Sequence, residues 1–224
     1  VDTDGSGLPG LARARRALAA GAAVVVPNPT PMAYGIVATD AEAVNVLKRR
    51  RPDQNVAVSL HDRSQRQDVA PSIDLPSTAL DALVALLRQR LTVLVPLRPS
   101  EPPPAWTSPA IRDGYLACFN GYWAATACLW HQFPRLYGSS ANLTGLPPAS
   151  SAAQAVAMFG NDCVVVDDGA VASGPRSAST MVAIDRTGRL SLYRTGAQDM
   201  ASGQEPTVYV RQLASGVGLT GGPS

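Results

Sequence analysis

The sequence predicts an α/β fold in a single domain, and three observations carry that expectation. Short apolar runs rich in β-branched residues, such as Val24–Val26 and residues 91–97, have the length of buried strands. Stretches between them repeat apolar residues at helical spacing, most clearly Leu80, Leu83, Val84 and Leu87. At 224 residues and 46% hydrophobic, the chain can bury one sizeable core, and no repeat or shift in composition divides it.

Residues 1–7 are polar and glycine-rich and are expected to be flexible. The domain is expected over 8–198. It opens with a helix over 8–20 that turns Leu11, Ala14 and Leu18 to one face and ends at Gly21. Arg13, Arg15 and Arg16 followed by 17–26 resemble a secretory leader, but a helix followed by a strand accounts for the same residues. Thr39-Asp40 offers the N-cap of a helix over 41–49, which stops before Pro52. A strand over 56–60 and a polar loop through Asp74 follow. Next come a helix capped by Ser77 or Thr78, the 91–97 strand, a Pro102-Pro103-Pro104 loop and a strand over 115–119. A helix over 121–133 places Trp123, Ala127 and Trp130 on one face, as core residues. The 151–159 helix, the 163–166 strand and a hairpin of 181–184 with 190–193 complete the domain. Residues 199–224 are expected to form a peripheral tail, strand-like only at 207–210.

Composition excludes several classes of function. A net charge of +2 demands no nucleic-acid partner, and Lys48 is the single lysine beside many arginines. No apolar run reaches the roughly 18 residues of a membrane span. Cys118, Cys128 and Cys163 are widely spaced in apolar contexts, so buried free thiols in a reducing, cytoplasmic compartment are expected. His61 and His131 lack ligand spacing to any cysteine, so no metal site is expected.

Chemistry-bearing residues cluster at a few places. The Val24–Val26 strand runs into a proline-stiffened turn bearing Thr30, Tyr34 and Gly35. Lys48-Arg49-Arg50-Arg51 suits a helix C-terminus, but four adjacent cations repel one another and an anionic ligand would relieve them. The loop Gly138-Ser139-Ser140-Ala141-Asn142 carries small side chains of the kind that let backbone N–H groups approach phosphate, without the lysine of a P-loop. Asp168-Gly169, Ser179-Thr180 and Arg194-Thr195-Gly196 follow in order.

In this order and spacing, the pieces resemble the YrdC-like family, which includes the threonylcarbamoyl-AMP synthases of tRNA modification. The matches are Pro29-Thr30 with Tyr34-Gly35, Arg49-Arg50-Arg51-Pro52 for the family's Lys-x-Arg-Pro, Ser140-Ala141-Asn142 with Gly145, Asp168-Gly169, Ser179-Thr180, and Arg194 with Gly196. The resemblance implies a twisted mixed sheet flanked by helices around a wide basic cavity. It implies a nucleotidyltransferase that joins L-threonine, bicarbonate and ATP, brought in with Mg²⁺, into threonylcarbamoyl-AMP and pyrophosphate. Related domains use carbamoyl phosphate instead. On this basis Arg49 and Arg51 stand at the catalytic, phosphate-facing positions. Thr92, Ser140, Asn142 and Arg194 match nucleotide-binding positions, and Thr30, Tyr34, Phe119 and Ser179 match positions around the acyl substrate. A downstream transferase that takes the labile adenylate is the expected protein partner.

The departures bear on the substrate. The family's lysine is Arg49, and the Pro-Gly turn before Thr92 is replaced by Gln89-Arg90-Leu91. The aspartate and threonine after Pro-Thr are Pro31 and Met32, and a family histidine falls on Leu60. The arginine expected to hold an amino-acid carboxylate falls on Phe119; Arg112, seven residues upstream, is the alternative. Three functions stay open: a threonylcarbamoyl-AMP synthase, an enzyme that activates carbamoyl or another acyl group, and a non-catalytic nucleotide- or RNA-binding module.

Overall fold

The computed structural model describes residues 8–169 and 176–221. It divides into two compact units, Val1–Val56 with Tyr122–Ala178, and Ala57–Gly121 with Ser179–Ser224. Both are mixed α/β, as expected, with helices beside a mixed sheet.

In the first unit the strands run in the order Val164–Val165, Val24–Val26, Gly35–Ala38, Tyr137–Ser140. The first pair is parallel and the others antiparallel. All three valines of Val24–Val26 are buried, as a central β-branched strand requires. Leu11–Ala19 is helical and buries Ala14 and Leu18. The Ala41–Leu47 helix is capped by Asp40, which accepts from the Glu42 N–H, and buries Val44 and Leu47. Ser151 caps Ala152–Phe159 in the same way. The helix expected over 121–133 is shorter, a 3₁₀ turn at Ala124–Thr126 followed by Ala127–Gln132. Trp130 is buried there and donates to Thr126 Oγ1 at 3.0 Å, whereas Trp123 precedes the helix and is half-buried.

In the second unit the order is Thr220–Gly221, Arg189–Arg194, Met181–Ile184, Thr92–Pro96, Tyr115–Phe119, Ala57–Ser59, with Ile111–Arg112 also paired to Tyr115–Phe119. The Ser77–Arg88 helix buries Ala79, Ala82, Leu83, Leu86 and Leu87. Two expectations fail here. The polar loop after His61 contains a helix, Arg63–Val69, whose capping box joins Asp62 and Gln65. The strand-like piece at 207–210 lies in the Pro206–Gly216 helix, with Pro206 at its start and Val210, Leu213 and Ala214 buried, so this stretch belongs to the core of its unit.

Among the described residues no helix is long and apolar enough to cross a membrane. The three cysteines are free thiols; Cys118 is fully buried, while Cys128 and Cys163 are only half-buried. Burial pushes the Cys118 thiol up to about 12.

Candidate functional site

Strand register gathers the first unit's candidates at one end of its sheet. Val26 pairs with Gly35, and Gly35 pairs with Ser140, so the 27–34 turn and the 140–142 loop leave the sheet together. The Val164–Val165 strand runs parallel to Val24–Val26, which brings Asp167 and Asp168 out at the same end. Gly35 sits where chains crowd, since a Cβ there would lie 3.3 Å from Asn28 Nδ2. Asn28 Nδ2 in turn donates to the Ala33 carbonyl and holds the turn.

The loop rests on Lys48. Its ammonium donates to Ser140 O at 2.6 Å, Asn142 O at 2.9 Å and Asn142 Oδ1 at 2.8 Å. Ser140 Oγ also donates to Asn142 Oδ1, and Asn142 Nδ2 donates to the carbonyls of Leu143 and Leu146. Lys48 is 4% exposed, so a positive charge lies directly beneath a loop of small side chains. The adjacent Arg49 has φ 52°, turns outward and pairs with Asp162 at 3.4 Å. Arg51 is exposed and forks onto Asp53 at 2.9 and 2.6 Å. Neither arginine hydrogen-bonds the loop, and the cation that does is the lysine beside the matched position. Arg50 is structural: its Nε donates to Asn45 Oδ1, and Asn45 Nδ2 donates to the carbonyls of Pro52 and Gln54.

Thr30, Tyr34 and Asp168 form a second cluster of this unit, together with Arg176. The Tyr34 hydroxyl donates to Asp168 Oδ1 at 2.6 Å. Burial and that hydrogen bond push the Tyr34 phenol well above its ordinary value, so it remains a donor. Arg176 Nη2 donates to Thr30 Oγ1 at 3.0 Å, and its guanidinium carbon lies 6.0 Å from the centre of the Tyr34 ring. No motif in the sequence pointed to Arg176.

The second unit gathers its own candidates at one end of its sheet. Thr92 opens a strand that pairs in parallel with Met181, and Arg194 pairs with Met181 from the other side. Thr92 Oγ1 and Ser179 Oγ share a hydrogen bond of 2.7 Å, and Arg194 Nη2 donates to Ser179 O at 3.1 Å. Behind them, the buried Asp199 accepts from Thr180 Oγ1 at 2.6 Å and from Gly196 N at 2.7 Å, fixing the turn after Arg194. Antiparallel pairing with Thr92–Pro96 brings Phe119 to this same end, and its parallel partner is Ser59. Phe119 shares the less buried face of its strand with Tyr115 and Ala117. Leu60 is fully buried, and the next residue, His61, carries an imidazole whose Nδ1 lies 3.0 Å from Ser59 Oγ. Arg112 stands on a separate strand with its side chain 72% exposed and pairs with Asp113. Phe119 thus stands at the sheet end beside Thr92, and Arg112 does not.

Among the described residues no group of three or more His, Cys, Asp or Glu could hold a metal ion. The Sua5/YciO/YrdC family model, described as telomere recombination, matches residues 16–196. The chain belongs to the Sua5/YciO/YrdC family. Solved structures of Sua5, HypF and YciO share its fold. P. abyssi Sua5 complexed with L-threonine is 18% identical, with a TM-score of 0.64, over 95% of this chain and 58% of that one. Full-length HypF in the phosphate- and nucleotide-bound form is 17% identical, with a TM-score of 0.63, over 83% of this chain and 28% of that one. E. coli YciO is 11% identical, with a TM-score of 0.59, over 83% of this chain and 88% of that one. This Sua5/YciO/YrdC chain thus spans little more than half of the Sua5 chain and under a third of HypF. No curated protein matches its sequence.

Proposed function

We propose that this chain is an ATP-dependent adenylate-forming enzyme, a nucleotidyltransferase resembling threonylcarbamoyl-AMP synthase. The observation that carries the proposal is the Ser140–Asn142 loop seated on the buried Lys48 ammonium. A loop of small side chains over a fixed positive charge suits a polyphosphate. Support also comes from two neighbours of the same fold, Sua5 complexed with L-threonine and HypF bound to phosphate and nucleotide.

In this reaction the amine of an amino acid attacks the carbon of bicarbonate, a C–O bond breaks and water leaves, giving a carbamate. A carbamate oxygen then attacks the α-phosphorus of ATP. The bond from that phosphorus to the bridging oxygen of the β-phosphate breaks, and pyrophosphate leaves. Such a step asks the protein to position groups and neutralise charge rather than to supply a nucleophile. Ser140, Asn142, Thr92 and Arg194 are assigned to the nucleotide, and Thr30, Tyr34, Phe119 and Ser179 to the acyl substrate. Mg²⁺ enters with ATP, keeps most of its waters and asks for few protein ligands.

Phe119 favours a second reading, in which the same adenylate chemistry acts on a different acyl group, carbamoyl phosphate included. Pyrophosphate release from ATP and Mg²⁺ tests both. Release that requires bicarbonate and an amino acid, or carbamoyl phosphate alone, supports adenylate formation. ATP binding without release under any of these conditions would leave a nucleotide-binding module and contradict the proposal.

A further inference from the structure

Arg176 is a buried arginine whose guanidinium is incompletely used. Its side chain is 8% exposed, and that of Asp168 is 7% exposed. Nη2 is bonded to Thr30 Oγ1. Nη1 is buried and has no hydrogen-bond partner; it stands 3.6 Å from Asp168 Oδ2, too far for a hydrogen bond. A buried guanidinium donor without an acceptor is costly, and a pair that served only packing would close that gap.

The backbone holds the group in this place. Ala33 N donates to Ser177 O at 2.8 Å, Ser177 N donates to Pro31 O, and Met32 bridges to Ser177. These bonds fasten the residue after Arg176 to the turn that carries Thr30 and Tyr34. The unfilled donor therefore sits beside Thr30 and Tyr34, the two residues of this unit assigned to the acyl substrate, where a carboxylate would complete the fork that a guanidinium presents. Arg176 and Asp168 also set opposite charges side by side, which matches the carboxylate and ammonium of an α-amino acid.

We infer that Arg176 binds the carboxylate of an α-amino-acid substrate. The inference rests on the proposed function and narrows it to an amino acid rather than carbamoyl phosphate.

Calorimetry with the twenty L-amino acids, and with the carboxamide of the tightest binder, tests it on the full chain. The wild type should prefer the carboxylate by about tenfold to a hundredfold, the range of a charge-assisted contact. R176Q should bring the two affinities together, and R176K should restore part of the preference, while affinity for a non-hydrolysable ATP analogue stays unchanged. The double variant D168N/R176Q removes both buried charges and serves if R176Q fails to fold. A preference that survives in R176Q or in the double variant, or a wild type that binds no amino acid, would overturn the inference. In either case analogue binding and pyrophosphate release would still report separately on adenylate formation. A wild type that does not bind the ATP analogue would overturn the proposed function and this inference with it.

Discussion

Replacing Lys48 with methionine keeps the length of the side chain and removes the ammonium that three oxygens of the 140–142 loop accept from, at 2.6, 2.9 and 2.8 Å. Lys48 is 4% exposed, so water cannot readily take its place. A hydrogen bond to a charged group contributes about 1.5–3 kcal/mol, and three bonds from one ammonium are not additive. Part of that gain is offset by the water the ammonium gives up on folding. The expected loss is about 2–4 kcal/mol, which in urea moves the midpoint by about 1 M or more at unchanged slope. Arg49 is the control. Its pair with Asp162 is exposed, at 67% and 62%, and exposed pairs contribute at most about 1 kcal/mol. R49A should therefore unfold near the wild-type midpoint, whereas K48M should lose stability and also weaken ATP binding. A K48M unfolding free energy within about 0.5 kcal/mol of wild type, or an R49A variant that loses as much as K48M, would refute the placement of Lys48 beneath the loop.

Four further outcomes are expected. R194A should lose measurable nucleotide binding, and wild-type affinity in that variant would remove Arg194 from the site. D199A should cost about 2–4 kcal/mol of stability, because two buried donors, Thr180 Oγ1 and Gly196 N, lose their carboxylate, and it should also weaken nucleotide binding through the turn after Arg194. F119R should change the KM for L-threonine little, since Arg176 is inferred to hold the carboxylate; a fall of about tenfold or more would place the carboxylate partner at position 119 instead. Finally, burial raises Cys118 from 9.0 to about 12, and burial with Asp162 raises Cys163 to about 11. A raised folded-state value stabilises the fold below the unfolded value and loses that contribution as pH climbs to the folded one. Stability should thus fall between about pH 9 and 12, and C118A should flatten the upper part of that decline; a slope that C118A leaves unchanged would remove Cys118 as its source.

Most of the strands, the Leu11–Ala19 and Ser77–Arg88 helices and the motif order were legible in the sequence because each announces itself locally. Val24–Val26 is continuously apolar, and Ser77–Arg88 repeats its leucines at helical spacing. Arg63–Val69 escaped because its residues are nearly all polar and its stability comes from a capping box, not from an apolar stripe. The Thr207-Val208-Tyr209-Val210 run has strand propensity, yet packing of Val210, Leu213 and Ala214 decides for a helix. In the candidate site, residue types were legible but partnerships were not. The register that brings Thr92, Ser179 and Arg194 to one sheet end joins residues far apart in the chain. Lys48 and Arg49 are neighbours in sequence, and only the left-handed turn at Arg49 separates the buried cation from the exposed one. Arg176 lies in no motif, and nothing in the sequence marks it.

Adenylate formation is tested most directly by mass spectrometry of the protein incubated with ATP, Mg²⁺, bicarbonate and L-threonine, beside a parallel reaction with carbamoyl phosphate. The account predicts an acyl-AMP in at least one reaction, with pyrophosphate in equal amount, and expects it in the amino-acid reaction. Bound, unreacted ATP with no adenylate in either reaction would contradict it.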